Sequence, residues 1–252
     1  RVKAQKPDSV VAVAGFPTFT QAVSEKNEQL FAVNFSISLR RILFLLVPIS
    51  ILTVVLRAQI VRVILGTGAF DWNNTYYTAQ TLGFFALSIF AQGLIPLLAR
   101  SFYAHEDTKT PMSISIFSIL INIILSWLLS KNMGVVGLGL AFSISSIINM
   151  FLLYIVLHFR VQNIDHAKIL NSLNKIAVNA LLAGYVAYAV LHILSKFVDM
   201  YTGWGIFIQG FGAGLAGLLA YLILGIVFKL EEIDIVKRML KKSLLLFKNG
   251  KS

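Results

Sequence analysis

The side chains that most often perform chemistry lack the clustering that a catalytic or metal site requires. The four histidines are scattered and show no metal-ligand spacing: His105, His158, His166 and His192. Cysteine is absent, which removes thiolate ligands and thiol nucleophiles. All eleven acidic residues fall outside the apolar stretches described below, whereas proton relays and ion-coupling sites place such groups inside the membrane. The pattern predicts no metal, no cofactor and no hydrolytic centre in this chain.

A second group of polar side chains, all uncharged, lies inside two consecutive apolar stretches. Asn122 and Ser126 are one helical turn apart, and so are Ser145 and Asn149. Each pair therefore shares one face of a helix. One interpretation is that the four side chains line a hydrated cavity and bind substrate. The alternative is hydrogen bonding between helices, which contributes about 0.6 kcal/mol per bond in membranes.

Long apolar stretches must position these residues. Of the 252 residues, 57% are hydrophobic and only 13% are charged, which is too few charges to cover a soluble surface. Six stretches are close to the roughly 20 residues that a membrane-crossing helix needs: 35–56, 76–98, 111–129, 135–158, 176–194 and 204–228. We therefore predict an all-α integral membrane protein, a bundle of about six transmembrane helices. Pro48, Gly93 and Pro96 are candidate kink positions, and the GxxxG formed by Gly210 and Gly214 predicts close helix packing.

The predicted organisation has three parts. Residues 1–22 contain one apolar run of about ten residues, which is too short to cross a membrane and is interpreted as the truncated end of a preceding transmembrane helix. Residues 23–230 carry the six spans. In residues 231–252 apolar side chains recur at helical spacing between lysines, which predicts a basic amphipathic helix on the cytoplasmic membrane surface. A solvated tail with a helical bias is the alternative.

Lysine and arginine are distributed unequally over the connections between the spans. Eighteen of the 22 fall on one side of the predicted membrane, and four fall on the other. The four are Arg57, Arg62, Lys131 and Lys196. Because cytoplasmic loops carry the excess of positive charge, we predict that both ends of the chain are cytoplasmic. This distribution explains the net charge of +11 without a nucleic-acid partner.

The connection between the second and third spans is the most distinctive part of the chain. From Ala99 it reads ARSFYAHEDTKTP. Locally, Thr110 is predicted as the N-cap of the third span and Pro111 as its first helical residue. Arg100 is predicted to anchor the connection at the cytoplasmic interface. These local roles explain the residue types but not this particular string.

Several strings together resemble the MurJ/MviN family of lipid II flippases. The string RSFYAHEDTKTP is followed, after one further span, by GVVGLGLAFSISSIINMFLLY. Upstream lie GFPTFTQAVSEKNEQ, SLRRILFLLVPISI and IVRVILGTGAFD, in the order of the family pattern. The resemblance covers roughly residues 14–159. It implies a bacterial inner-membrane transporter with a fourteen-helix, two-lobe fold, of which this chain would supply the last six spans.

The resemblance also implies a mechanism. Such flippases move an undecaprenyl-pyrophosphate-linked peptidoglycan precursor by alternating access, with the head group in a cationic cavity and the lipid tail in a groove beside the last two helices. Carried over to this sequence, Arg40 and Arg41 stand at the cytoplasmic mouth as candidate substrate-binding residues. The family loop motif corresponds to Arg100, Phe102, Tyr103, Asp107, Lys109 and Pro111. The expected partners are the lipid-linked glycan, membrane lipids and the missing N-terminal lobe of the same protein.

Other functions stay open from the sequence. The nearest is a related exporter of another lipid-linked oligosaccharide, or a multidrug antiporter of the same superfamily of exporters. A non-transporting membrane scaffold is a second alternative. A membrane enzyme of envelope biosynthesis would need His, Asp and Glu clustered at one membrane face, and the sequence shows no such cluster.

Overall fold

The computed structural model describes residues 28–66, 72–161, 165–199 and 202–233, and these ranges are almost entirely helical. They contain seven helices: α1 Glu28–Leu65, α2 Trp72–Ala86, α3 Ile89–Ala104, α4 Lys109–Met133, α5 Val135–Arg160, α6 His166–Leu194 and α7 Gly203–Val227. Taking α2 and α3 as one span, six are long and apolar enough to cross a membrane. The predicted all-α bundle of six spans is confirmed.

The second span is interrupted at a place that the sequence does not mark. α2 ends and α3 begins on either side of Leu87 and Ser88. Gly93 and Pro96, the candidate kink positions, both lie inside α3. Pro48 likewise lies inside the continuous helix α1. The break therefore falls between residues that carry no local helix-breaking signal.

Neighbouring helices satisfy the backbone groups that the break exposes. Carbonyls without helical partners must find donors within the protein at membrane depth. The Phe84 carbonyl keeps one bond from the Leu87 N–H at 3.1 Å and accepts a second from the Ser143 hydroxyl of α5 at 2.5 Å. The Ser50 hydroxyl from α1 donates to the Ala86 carbonyl. The break is thus held by tertiary contacts on both sides.

The helices pack side by side in a definite order, with α1 in the interior of the bundle. α1 contacts α2, α3, α6 and α7, while α5 contacts α2, α3 and α4. The order across the bundle is therefore the α6/α7 pair, α1, the broken α2/α3 span, α5 and finally α4. At the edge, α4 buries only Pro111 and Ser118. The core extends through the other helices, and its most buried large side chains include Phe31, Phe35, Phe44, Phe102, Leu153 and Tyr221.

Ion pairs show which helix ends share a face of the bundle. Arg40 in the first half of α1 pairs with Glu231 and Glu232 beyond α7. Arg160 at the end of α5 pairs with Asp107 between α3 and α4. These elements form what we call the Arg40 face.

The opposite end of the bundle is called the Arg57 face. It contains the end of α1, the start of α2, the α4/α5 turn and the connection from α6 to α7. The four minority basic residues Arg57, Arg62, Lys131 and Lys196 belong to these elements. For the basic residues that the structure describes, the sequence-based grouping into two opposite sets therefore agrees with the fold.

Candidate functional site

Arg40, expected from the resemblance to bind substrate, is the centre of a buried ion-pair cluster. Its side chain is 8% exposed, and its Nη1 donates to Glu231 Oε2 at 2.9 Å and to Glu232 Oε1 at 3.0 Å. It also donates to Ser172 Oγ at 3.4 Å. The Glu232 side chain is 4% exposed and that of Glu231 is 64% exposed, with Lys168 Nζ 3.5 Å from Glu231 Oε2. In this structure the chain itself neutralises the Arg40 guanidinium, which joins α1 to the end of α7.

A Schellman turn at the end of α7 brings the two glutamates to this cluster. Lys229 adopts a left-handed conformation with φ 51°. Its N–H donates to the Ile226 carbonyl at 3.1 Å, and the Leu230 N–H donates to the Gly225 carbonyl at 3.0 Å. This pair of bonds defines the Schellman motif. The Leu230 side chain is 4% exposed and packs over Gly225, which fixes the direction in which the chain leaves α7.

Only the first three residues of the predicted tail 231–252 are described. Glu232 and Ile233 are each 5% exposed, so this stretch packs into the bundle. The amphipathic helix predicted for the rest of the tail lies outside the described residues, as does the predicted helix end in residues 1–22. Arg41, next to Arg40 on α1, is half-buried, and its role in substrate binding stays a prediction.

The connection between α3 and α4 is a compact turn clamped by Arg160 from the end of α5. Asp107 Oδ2 lies 2.5 Å from Arg160 Nη1. Arg160 Nη2 also donates to Thr110 Oγ1 at 3.4 Å. The guanidinium carbon lies over the Phe102 ring, 5.7 Å from its centre, in a cation–π contact. Arg160 of α5 therefore contacts three residues of the loop motif: Asp107, Thr110 and Phe102.

A second Schellman turn ends α3 within the same motif. Glu106 adopts φ 58°. Its N–H donates to the Tyr103 carbonyl at 3.0 Å, and the Asp107 N–H donates to the Phe102 carbonyl at 3.1 Å. These are again the two bonds of the Schellman motif. The turn places the Asp107 side chain at the start of the next helix.

Asp107, and not Thr110, caps α4. The helix begins at Lys109, and the hydroxyl of the preceding Thr108 makes no capping bond. The Thr110 N–H instead donates to Asp107 Oδ1 at 3.0 Å, which satisfies one of the open donors of a helix start. The predicted N-cap at Thr110 is wrong, because the helix already begins at Lys109 and Thr110 lies inside its first turn.

The remaining loop-motif residues divide into buried and accessible ones. Phe102 is fully buried, and Pro111 is buried in the first turn of α4. Arg100 is half-buried, whereas Tyr103 and Lys109 are exposed. The buried members support the turn itself. Direct functional roles of the accessible members stay predictions.

Acid pH is expected to loosen this turn. Hydrogen bonds from the Thr110 hydroxyl and N–H, together with the nearby Arg160, lower the pKa of Asp107 below its ordinary value of 3.8. The folded chain then binds this proton less readily than the unfolded chain. The stabilisation is therefore complete above about pH 4 and is lost as the pH falls through the lowered pKa.

The corresponding measurement is the melting temperature in detergent as a function of pH. Asp107→Asn is expected to melt lower than the wild type at neutral pH and to lose less stability on acidification. Glu106→Gln removes the neighbouring exposed carboxylate and is expected to follow the wild-type profile. Identical pH profiles for Asp107→Asn and the wild type would show that the Asp107 charge does not hold the turn.

Three of the four polar residues considered as cavity residues, Asn122, Ser126 and Ser145, are hydrogen-bonded within their own helix. On α4, Ser126 Oγ donates to Asn122 Oδ1 at 3.3 Å. On α5, Ser145 Oγ donates to the Phe142 carbonyl at 2.9 Å, while the buried Oδ1 of Asn149 receives no hydrogen bond. Because α4 packs against α5, the pairs belong to neighbouring helices. Their role in substrate binding stays a prediction.

A buried pair of serines inside the bundle was not predicted from the sequence. It lies at the break between α2 and α3, where Ser88 and Ser143 are 0% and 1% exposed. Ser143 Oγ lies 3.1 Å from Ser88 Oγ, and Gln92 Nε2 donates to Ser88 Oγ at 2.9 Å. No glycine or proline marks the break, so local sequence offers no signal for this cluster.

An apolar groove lies between α1 and α7 at the Arg57 face. Its volume is about 460 Å³, and every lining residue except Gln59 is apolar. The lining includes Ile60, Ile64, Phe207, Phe211, Leu215 and Leu218. The resemblance implied a groove beside the last two helices. The described groove has α1, and not α6, as the partner of α7.

The glycines of α7 allow this close approach. A Cβ added at Gly210 would lie 3.0 Å from Gln59 Cβ, and one at Gly214 would lie 3.1 Å from Leu56 Cδ1. Both distances are shorter than ordinary van der Waals contact. The close packing predicted from the GxxxG pattern is confirmed, and α1 is the helix that approaches.

The fold and sequence match one protein family. The family model described as "Lipid II flippase MurJ" matches residues 9–207, which is most of the chain. The chain belongs to the lipid II flippase MurJ family. The resemblance inferred from the loop motif is therefore confirmed.

Two relatives match most of this chain, but the match spans less than half of each relative's own length. The chain is 29% identical over 211 residues to Lipid II flippase MurJ of Thermosipho africanus, covering 83% of the chain and 40% of that protein. It is 26% identical over 220 residues to Probable lipid II flippase MurJ of Vibrio cholerae, covering 85% and 41%. It is also similar to a solved structure, "Lipid II flippase MurJ, inward closed conformation", with a TM-score of 0.67 and 27% identity, covering 85% and 42%. The chain thus corresponds to about two-fifths of a family member, and it is a multi-pass membrane protein.

Proposed function

We propose that this chain forms part of a flippase that carries lipid II, the lipid-linked precursor of peptidoglycan, across the bacterial cytoplasmic membrane. The observation that carries the proposal is the family match over residues 9–207. The similar fold of the solved flippase supports it. The flippase activity proposed for this protein is inferred from the names of these relatives.

The arrangement of α1 and α7 supports alternating access. At the Arg40 face the two helices are joined by the buried cluster of Arg40 and Glu232. At the Arg57 face the same two helices enclose the apolar groove. We propose that the groove holds part of the isoprenoid tail while the Arg40 cluster keeps the two helices together. In this proposal Arg40 has a structural role and does not contact the substrate. Arg41 and the polar pairs on α4 and α5 make the contacts with the substrate.

The surface of α4 is largely unpacked in this chain and is available to contact the portion of the relatives that the chain does not cover. Most α4 side chains are exposed, among them Met112, Phe117, Ile124 and Trp127. Tyr103 and Lys109 at the Arg40 end of α4 are exposed as well. We propose that this surface contacts the other lobe of the flippase, so that the loop motif transmits movement between the lobes.

We further propose that the Arg40 face is cytoplasmic. Because the chain has no cysteine, single cysteines report their side of the membrane without background. Lys131→Cys and Lys196→Cys are expected to react with an impermeant maleimide in intact spheroplasts. Lys168→Cys and Lys229→Cys are expected to react only after permeabilisation. The reverse pattern would contradict the orientation and leave the fold unaffected.

The function is tested by rescue of bacteria depleted of their own lipid II flippase. The gene that encodes this chain is expressed from a plasmid, with membrane insertion confirmed by immunoblot. Restored growth with lipid II again reaching the outer leaflet is expected. Stable membrane expression without lipid II translocation would contradict the proposal and favour an exporter of another lipid-linked oligosaccharide or a non-transporting relative.

A further inference from the structure

The two halves of the broken second span are held in the bundle in different ways. α3 places large side chains in the hydrophobic core, namely Leu94, Leu97, Leu98 and Phe102. The described residues of α2 contribute no side chain to this core, and those that are buried are all small: Thr75, Ala79, Gly83 and Ala86. Packing of side chains is what holds helices together at membrane depth. α2 is therefore the weakly held half of the span.

Glycines bring α2 close to its neighbours, and a cavity separates part of it from α1. A Cβ added at Gly139 of α5 would lie 3.0 Å from the Thr81 carbonyl oxygen, and one at Gly83 would lie 2.8 Å from Arg57 Cδ. Between the first turns of α2 and the end of α1 lies a cavity of about 320 Å³. The start of α2 thus has space beside it into which it can move.

The backbone at the break has two hydrogen-bonding patterns open to it. The Leu87 N–H donates to the Phe84 carbonyl and the Ser88 N–H to the Phe85 carbonyl, both at 3.1 Å and both three residues back. In a continuous α-helix each N–H would donate to the carbonyl four residues back. Neither glycine nor proline occurs in residues 84–92, so this sequence also permits the continuous helix.

Two serines from neighbouring helices favour the bent form. The Ser143 hydroxyl donates to the Phe84 carbonyl at 2.5 Å, and the Ser50 hydroxyl donates to the Ala86 carbonyl. Both serines are buried, at 1% and 6% exposure. In a continuous helix the Ser88 N–H would supply the bond to the Phe84 carbonyl. The two hydroxyls therefore stabilise a bend that the local sequence does not impose.

We propose that α2 is a movable half-helix that swings about Leu87 and Ser88, and that the hydroxyls of Ser50 and Ser143 hold it in its bent position. α3 stays in place because its large side chains lie in the core. A change of about 20° in the bend moves the far end of this 15-residue helix by roughly 8 Å. The swing opens or closes the Arg57 face of the bundle beside α1 and α5. It is defined without a substrate and so stands apart from the proposed function.

The test measures distances between spin labels at the Arg57 face. Asn74 on α2, Lys131 at the end of α4 and Lys196 between α6 and α7 are all exposed. Because the chain has no cysteine, pairs of introduced cysteines carry the labels, and pulsed electron paramagnetic resonance gives the distances in detergent micelles. Asn74→Cys paired with Lys131→Cys or with Lys196→Cys reports the position of α2. Lys131→Cys paired with Lys196→Cys is the reference.

Ser50→Ala combined with Ser143→Ala removes both hydroxyls that hold the bend. At least one of the two α2 distances is expected to shift by about 5 Å or more, while the reference distance stays unchanged. Ser101→Ala is the matched control on α3. Ser101 is 0% exposed, but its hydroxyl donates to the Leu97 carbonyl of its own helix at 3.0 Å. Ser101→Ala is therefore expected to keep all three wild-type distances.

Wild-type α2 distances in a folded double variant would overturn the proposal. An equal shift in Ser101→Ala, or a reference distance that shifts as much as the α2 distances, would overturn it too. If the double variant does not fold, Ser143→Ala alone decides. The Phe84 carbonyl then keeps its bond from the Leu87 N–H, so this variant is expected to fold and to shift the α2 distances in the same direction. Unchanged α2 distances in Ser143→Ala would then contradict the proposed swing.

Discussion

Replacing Arg40 with methionine is expected to lower the free energy of unfolding by about 3–5 kcal/mol, the range observed when one partner of a buried ion pair is removed. The Arg40 and Glu232 side chains are 8% and 4% exposed. The Arg40→Met variant leaves the Glu232 carboxylate buried without its cation. The change is measured by denaturant unfolding of the protein in detergent micelles.

The two glutamates of the cluster supply a matched control. Glu231 bonds to the same guanidinium nitrogen as Glu232, but its side chain is 64% exposed. A hydrogen bond from Arg40 holds the pKa of Glu231 below its ordinary value of 4.5, so Glu231 is charged at neutral pH. An exposed pair contributes at most about 1 kcal/mol. Glu231→Gln is therefore expected to have a small effect and Glu232→Gln a large one.

A double-mutant cycle then isolates the pair. Arg40→Met combined with Glu232→Gln removes both charges from the buried site. The combination is expected to cost less than the sum of the two single changes, with a coupling of at least about 1 kcal/mol, as residues in one buried network usually show. Additive effects, or equal effects of Glu231→Gln and Glu232→Gln, would show that the cluster does not hold α1 to α7.

Filling the apolar groove with a large side chain is expected to lower lipid II transport at least about tenfold, which corresponds to about 1.4 kcal/mol of lost interaction. Leu215 and Leu218 line the groove and are 46% and 44% exposed. Tryptophan at either position would occupy space proposed for the lipid tail. Transport is measured as lipid II reaching the outer leaflet in the depletion strain.

The control for this prediction lies on the same helix. Leu219 is 50% exposed and is not part of the groove lining. Leu219→Trp adds the same bulk to the membrane-facing surface and is expected to leave transport close to wild type. Equal transport by Leu215→Trp, Leu218→Trp and Leu219→Trp, at equal membrane expression, would exclude the groove from the transport path.

The class of the protein and its helices could be predicted because local composition determines them in a membrane. A chain at membrane depth must satisfy its backbone groups internally, so an apolar stretch of about 20 residues forms a helix wherever it lies in the fold. The six spans follow from this requirement. The grouping of basic residues onto two faces follows from the alternation of helix directions. The string RSFYAHEDTKTP carried the family resemblance, which the match over residues 9–207 confirms.

The tertiary structure alone decided the partners of the polar residues. The substrate-binding role of Arg40 stays a prediction, and the structure pairs its guanidinium with Glu232, which lies 192 positions further along the chain. Asp107 replaces Thr110 as the helix cap and pairs with Arg160 from another helix. The break at Ser88 is held by Ser50 and Ser143, which come from two further helices.

These partners could not be read from the sequence because hydrophobicity does not select helix neighbours inside a membrane. Lipid tails are as apolar as leucine, so packing, small residues and a few hydrogen bonds decide which helices meet. Gly210 and Gly214 predicted a close approach, but only the fold showed that α1 approaches them and forms the groove. Local composition thus determined that this chain crosses the membrane as helices, while long-range packing determined which charges are neutralised and which helices enclose the apolar groove.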